Sequence, residues 1–179
     1  MKAKNLDDSN GMRVQEWETV TGVLDSGITQ APDTGGPNRY TTWLTTINGD
    51  GTPHVTPVGA AWVDGVFWFQ TGDITQKAKN IARDPRSVVS VSAHDFDLVV
   101  EGVAEKVEDA EVVARVAAVW AEGGWPCAVD ESGIGLTAPF NAPAVGPAPW
   151  RVYRITPRSA VSVSTVEPGG TTRWTFTEA

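Results

Sequence analysis

The 179-residue sequence predicts a mainly β domain of the α+β class, built as an antiparallel barrel or sandwich. Three observations carry that expectation. Strand-length runs rich in β-branched and aromatic residues follow one another from Arg39 onward, joined by tight turns such as Asn48-Gly49-Asp50-Gly51 and Val63-Asp64-Gly65. Helical periodicity is confined to separate stretches and does not alternate with strands, which argues against a doubly wound sheet. Eight tryptophans suit a β-rich core or a pocket lined with flat rings.

In chain order, residues 1–8 are polar and read as a frayed start. A helix is expected from Ser9 to Leu24, capped by Ser9 or Asn10, with Val14, Trp17 and Leu24 near one face. Residues 25–38 read as a loop. Arg39–Ile47 and the run HVTPVGAAW from His54 to Trp62 form the first two strands, with Pro57 marking an edge or a break in pairing. VFWFQT is apolar on both faces and therefore a buried strand. Thr75 to Arg83 is a short helix with Ala78, Ile81 and Ala82 inward, stopped by Asp84-Pro85. SVVSVSA and DLVVEGVAEKV are the next strands. Asp109 caps a helix to Glu122 whose stripe is Val112, Val113, Val116 and Trp120, ended by Gly123-Gly124. WRVYRIT, AVSVST and TTRWTFT complete about eight strands. The whole chain, 1–179, reads as one domain with four parts. These are an N-terminal helix and loop (1–38), a barrel core (39–122), an irregular segment (123–149) and C-terminal strands (150–179).

Composition narrows the function. The formal net charge of −8 argues against nonspecific binding to nucleic acid or to an anionic membrane, both of which need a basic surface. One cysteine, Cys127, excludes an internal disulfide framework, and with only two histidines no metal site is expected. No leader or long apolar run is evident, so a cytoplasmic protein is expected. His54 and His94 read as surface or locally bonded residues, and no triad is proposed. Trp43, Trp62, Trp68 and Trp120 are read as core.

The polar cluster at a strand-to-helix junction is the strongest chemical candidate. Thr71, Gly72, Thr75, Gln76, Lys77 and Asn80 stand where a buried strand gives way to a helix, whose free N–H groups and positive dipole end suit an anion. Lys77 and Asn80 share a face, whereas Lys77 and Lys79 diverge by about 200°. Lys79 and Arg83, four residues apart, would then serve a second anionic part of a ligand. From spacing alone, a solvated helix face is the competing reading. The long Pro- and Gly-rich segment Gly124–Pro149 is of a length that is usually functional or mobile.

The order of these elements, with PHVTPVG in the second strand and FQTGDITQKAKNIARDPR across the junction, resembles pyridoxamine 5'-phosphate oxidase-like proteins. Within them it is most similar to the flavin/deazaflavin oxidoreductase branch of actinobacteria. The likeness runs from about Arg39 to Trp120, with a weaker echo in WRVYRITP. It implies an antiparallel split β-barrel of the FMN-binding type, with FMN or coenzyme F420 in a groove at a homodimer interface. Carried over, Lys77 would pair with the cofactor phosphate, Thr71 would meet the ribityl chain or phosphate, and Thr75, Gln76 and Asn80 would complete that set. Thr56, Pro57, Val58 and Gly59 would lie against the ring. Gln76 stands where the oxidases carry arginine, a departure that weighs against pyridoxamine phosphate oxidation. The irregular segment would wall the substrate side, with Trp125, Phe140 and Trp150 as stacking residues. The activity implied is hydride transfer between the cofactor and a small unsaturated substrate. The alternative is a split-barrel protein that binds or carries a flavin, haem-like or other flat ligand without turnover.

Overall fold

The computed structural model describes residues 1–6, 11–28, 41–139, 145–167 and 169–177. Its framework is an antiparallel sheet whose strands run in the order β1 (Lys2–Asn5), β11 (Thr171–Thr175), β10 (Trp150–Ser164), β7 (Phe96–Val107), β6 (Arg86–Ser92), β2 (Thr41–Ile47) and β3 (Pro53–Pro57). The sheet curls but does not close. β5 (Val66–Thr71) pairs with the first half of β10 and with β4 (Ala61–Val63), while β11 pairs with the second half of β10. β10 therefore serves two separate sheet wings, and the architecture is a split β-barrel.

The expected strands are present with informative differences. WRVYRIT and AVSVST are one 15-residue strand, not two, because the ladder to β7 absorbs Pro157 as a register shift between Pro157 and Ser159. HVTPVGAAW divides the other way: β3 pairs with β2 and β4 with β5, so the single expected strand serves two partners. The N-terminal residues are not frayed, since Lys2–Asn5 add an edge strand to β11. Two short strands, β8 (Ala128–Val129) and β9 (Gly135–Thr137), lie inside the segment expected to be irregular, and β9 extends the pairing of β10.

The helices α1 (Trp17–Asp25), α2 (Gln76–Arg83) and α3 (Ala110–Glu122) pack on this sheet. α1 is shorter than expected, and the expected caps Ser9 and Asn10 lie outside the described residues. Its start is displaced to Trp17 because Gln15 is tied to the sheet: its backbone amide and side-chain carboxamide bond Thr172, Gly170 and Ser162. Asp109 caps α3 through the amides of Glu111 and Val112, as its position in sequence requires.

Two apolar clusters result. The barrel interior holds Leu44, Phe67, Phe69, Val89, Val91, Leu98, Val100, Ile155 and Trp174, closed by Val20 and Leu24 of α1 and by Ala78 and Ile81 of α2. The second cluster packs α3 through Val113, Val116, Ala117 and Trp120 against Ala61, Trp68, Trp150 and Val152. Trp62, Trp68 and Trp120 are core residues, but Trp43 is not. It stands 37% exposed on the outer face of β2, because alternation along that strand gives the inward positions to Thr42, Leu44 and Thr46.

Candidate functional site

α2 begins where β5 ends, and a hydrogen-bonded turn makes the connection. Thr75 caps the helix by accepting from the Ala78 amide at 3.3 Å, and its hydroxyl bonds the Gly72 carbonyl at 2.9 Å. The Thr71 hydroxyl lies 2.9 Å from the Thr75 hydroxyl oxygen and supplies the remaining bond. With one proton given and two bonds accepted, the Thr75 hydroxyl is saturated. Thr71 and Thr75 thus build the turn, and neither hydroxyl is presented freely to a ligand.

The inner face of α2 carries two polar residues against β2. Asn80 has no exposed surface, and its carboxamide is fully engaged. It donates to Thr46 and Asn48 at 3.0 Å each and accepts from Gln76 at 2.8 Å, with the Arg83 guanidinium 3.5 Å away. Asn80 is therefore a rivet between helix and sheet, and a ligand contact would have to break it. Gln76, although exposed, commits its amide to the same rivet. Arg83 also donates to the Ile47 carbonyl.

Lys77 lies on this face one turn earlier and is 4% exposed. Burial holds its ammonium below the ordinary lysine pKa. Across β2, the side chain of Thr56 belongs to the face shared with Leu44 and Thr46, and its Oγ1 is buried without a hydrogen-bond partner. A desolvated cation at a helix start and an orphaned hydroxyl on the facing strand are what an anionic cofactor with a polar ring would satisfy. The residues present fit such a group.

The rest of the β3 stretch fits in part. Val58 is engaged by β2, since its amide bonds the Thr42 carbonyl and its carbonyl accepts from the Thr42 hydroxyl. Its backbone therefore cannot face a ring. By the alternation of an antiparallel ladder, the main-chain groups of Val55 and Pro57 fall on the outer edge of β3, unpaired among the described residues. Gly59 is exposed, and a side-chain carbon there would meet nothing within 4 Å. Open space lies beside it.

Lys79 does not join this set. It is exposed and lines a separate cavity with Ala78, Ile81, Ala82 and β7. Trp150 is wholly buried beneath α3, and Trp125 packs between it and Trp120 with ring centroids 5.6 and 5.9 Å away. Trp150 is thus a core residue and not a stacking surface. Phe140 lies outside the described residues.

One contact has no sequence signal. Val145–Pro147 crosses the start of α2: the Gly72 amide bonds the Val145 carbonyl at 2.8 Å, and the Trp150 indole holds the Gly146 carbonyl at 2.8 Å. A side-chain carbon on Gly72 would come within 2.6 Å of the Val145 oxygen, so only glycine admits this crossing. The irregular segment and the helix start are one structural unit.

Residues 31–138 match the family model described as Pyridoxamine 5'-phosphate oxidase. The chain belongs to the pyridoxamine 5'-phosphate oxidase-like split-barrel family. Among solved structures, a conserved hypothetical protein from Mycobacterium tuberculosis is 27% identical, with a TM-score of 0.60 over 89% of this chain and 88% of that one. A pyridoxamine 5'-phosphate oxidase-related, FMN binding protein from Nostoc punctiforme is 15% identical, with a TM-score of 0.60 over 93% and 94%. A candidate 5-nitroimidazole antibiotic resistance protein from Bacteroides thetaiotaomicron is 11% identical, with a TM-score of 0.56 over 96% and 88%. The last two show the fold alone. No curated protein matches the chain. No helix among the described residues is long and apolar enough to cross a membrane.

The rivet makes a stability prediction. Asn80→Ala strands the buried Thr46 hydroxyl and should cost about 3 kcal/mol, lowering the thermal midpoint by about 6–12 °C. Lys79→Ala, at an exposed position, should change stability by less than about 0.5 kcal/mol. Thermal unfolding followed by circular dichroism checks both.

Proposed function

We propose that the chain is a flavin- or deazaflavin-dependent oxidoreductase that binds FMN or coenzyme F420 with its phosphate at the start of α2. The observation that carries this reading is Lys77, a buried ammonium at a helix start whose desolvation a bound anion would offset. The Nostoc protein's description as FMN-binding supports a flavin, and the sequence resemblance to the deazaflavin branch supports F420.

Lys77 would hold the phosphate, and the Thr56 hydroxyl with the outer edge of β3 would meet the ring near Gly59. When bound, the cofactor supplies the atom that gives or takes the hydride. The protein's own task is to bind, orient and exclude water. The crossing at Val145–Pro147 covers the helix start and fixes one wall, and Trp125 stands half-buried behind it as the remaining substrate-side ring. Gln76, tied to Asn80, adds no charge to the phosphate grip, which sets this chain apart from the oxidases.

The same reading includes a homodimer. The outer face of β2, β3, β6, β7 and β10 presents Trp43, Val55, Val99 and Val163, all more than a third exposed, with Val88 and Val103 between them. Cross-strand pairing aligns Trp43, Ser90, Val99 and Val161 in one row. A sheet face that exposes these apolar side chains among polar ones would suit a second copy that completes the cofactor groove.

Titration of the purified protein with FMN and, separately, with F420 tests the proposal through the visible spectrum. Micromolar binding of one cofactor is expected, and Lys77→Met should weaken it by about 100-fold without destabilising the apo protein. Failure of both cofactors to bind would overturn the reading. Binding without turnover of any substrate in a panel would assign the carrier role instead. In light scattering the wild type should have the mass of a dimer. Trp43→Glu should shift it to monomer and lower cofactor affinity with it.

A further inference from the structure

The flank of α2 opposite Lys77 bounds a second cavity of about 400 Å³, enclosed with β7 and the start of β10. Ala78, Ile81, Ala82 and Ala104 form an apolar floor, and Tyr153, Lys79, Lys106, Asp73 and Glu105 supply its polar groups. None of Lys77, Asn80 or Thr56 lines it. The cavity is separate from the proposed cofactor site, and its chemistry is independent of which cofactor, if any, that site takes.

Its polar groups are unequally committed. Asp73 is held by Arg151, whose Nε lies 3.2 Å from Oδ2, and Glu105 is held by Arg154. Both carboxylates are therefore already neutralised by guanidinium groups. Lys106 pairs at the rim with Glu108 at 3.1 Å. The Lys79 side chain has no partner among the described residues. The Tyr153 ring stacks on Phe69 at 5.1 Å with planes 12° apart, which fixes its orientation, and its hydroxyl has no hydrogen-bond partner among the described residues. Burial, together with the Asp73 charge, pushes that hydroxyl up to about 12, so it is a proton donor throughout the physiological range. On the neighbouring Arg151, Nη1 is buried without a partner.

We propose that this cavity binds a small monocarboxylate with a compact apolar body. Tyr153 Oη and Lys79 Nζ would donate to the two carboxylate oxygens, and the body would lie on the alanine and isoleucine floor. Two donors of different kinds suit the two oxygens of a planar carboxylate. Phosphate suits the cavity less well, because its further oxygens would lie against the alanine and isoleucine floor without donors.

Benzoate is a suitable probe. Titrated into the wild-type protein, with and without FMN, it should bind saturably with a dissociation constant on the order of 1 mM. Tyr153→Phe, which keeps the ring stack, should weaken binding about fivefold, and Lys79→Ala should do the same. Amide chemical-shift changes should centre on Ala82, Ala104 and Tyr153, and inorganic phosphate should not reproduce them. Absence of saturable binding up to about 20 mM would overturn the proposal, as would unchanged affinity in both variants. So would competition between benzoate and FMN, which would place the probe in the other site.

Discussion

The carboxamide of Asn80 is the interaction on which the arrangement at α2 depends. A short helix of eight residues has little stability of its own, and this one is held by what it buries. Ala78 and Ile81 enter the barrel core, and Asn80 ties the helix to Thr46 of β2 and to Asn48 in the turn after it. With that rivet in place the helix cannot roll. Lys77 is kept buried on the helix face it shares with Asn80, and Lys79 is kept facing β7. One fixed rotation of one helix therefore creates two different environments, a desolvated cation on one flank and a solvent-reached ammonium on the other.

This also explains why polar residues at the junction divide their labour. Thr71, Thr75, Gln76 and Asn80 all look, in sequence, like contacts waiting for a phosphate. In the fold they satisfy one another and the backbone, so the turn and the helix are rigid before any ligand arrives. What remains for a ligand to offset is small: the desolvation of Lys77 and the lone Thr56 hydroxyl. Preorganised surroundings around a desolvated cation suit the proposed anion without any rearrangement of the helix.

Much of the fold is legible because it is written locally. The Asp84-Pro85 stop, the Asp109 cap and the Asn48–Gly51 turn are all short-range signals, and each stands where the sequence implies. What is illegible is long-range. Thr46 is 34 residues from Asn80, and nothing in either neighbourhood announces the pair. Trp43 reads as core because large aromatic residues usually are, yet a strand pattern cannot say which face is inward when both carry threonine and apolar residues. Pro157 looks like the end of a strand, but its place at a bulge lets β10 continue and join two wings. The crossing at Val145–Pro147 depends on Gly72 having no side chain, a requirement visible only once the neighbouring carbonyl is in place.

The proposed function turns on the desolvated Lys77 ammonium and on what a bound anion would do to it. Because its folded pKa lies below the unfolded value, the buried charge costs stability at neutral pH, and that cost is relieved as pH rises through the folded pKa. A bound phosphate would favour the charged form and move the pKa back up. The most direct measurement is a pH titration of the Lys77 Nζ resonance in lysine-labelled protein, without and with FMN. A pKa below the ordinary lysine value that rises on addition of FMN is the expected result. An ordinary pKa that does not move with FMN would contradict the account.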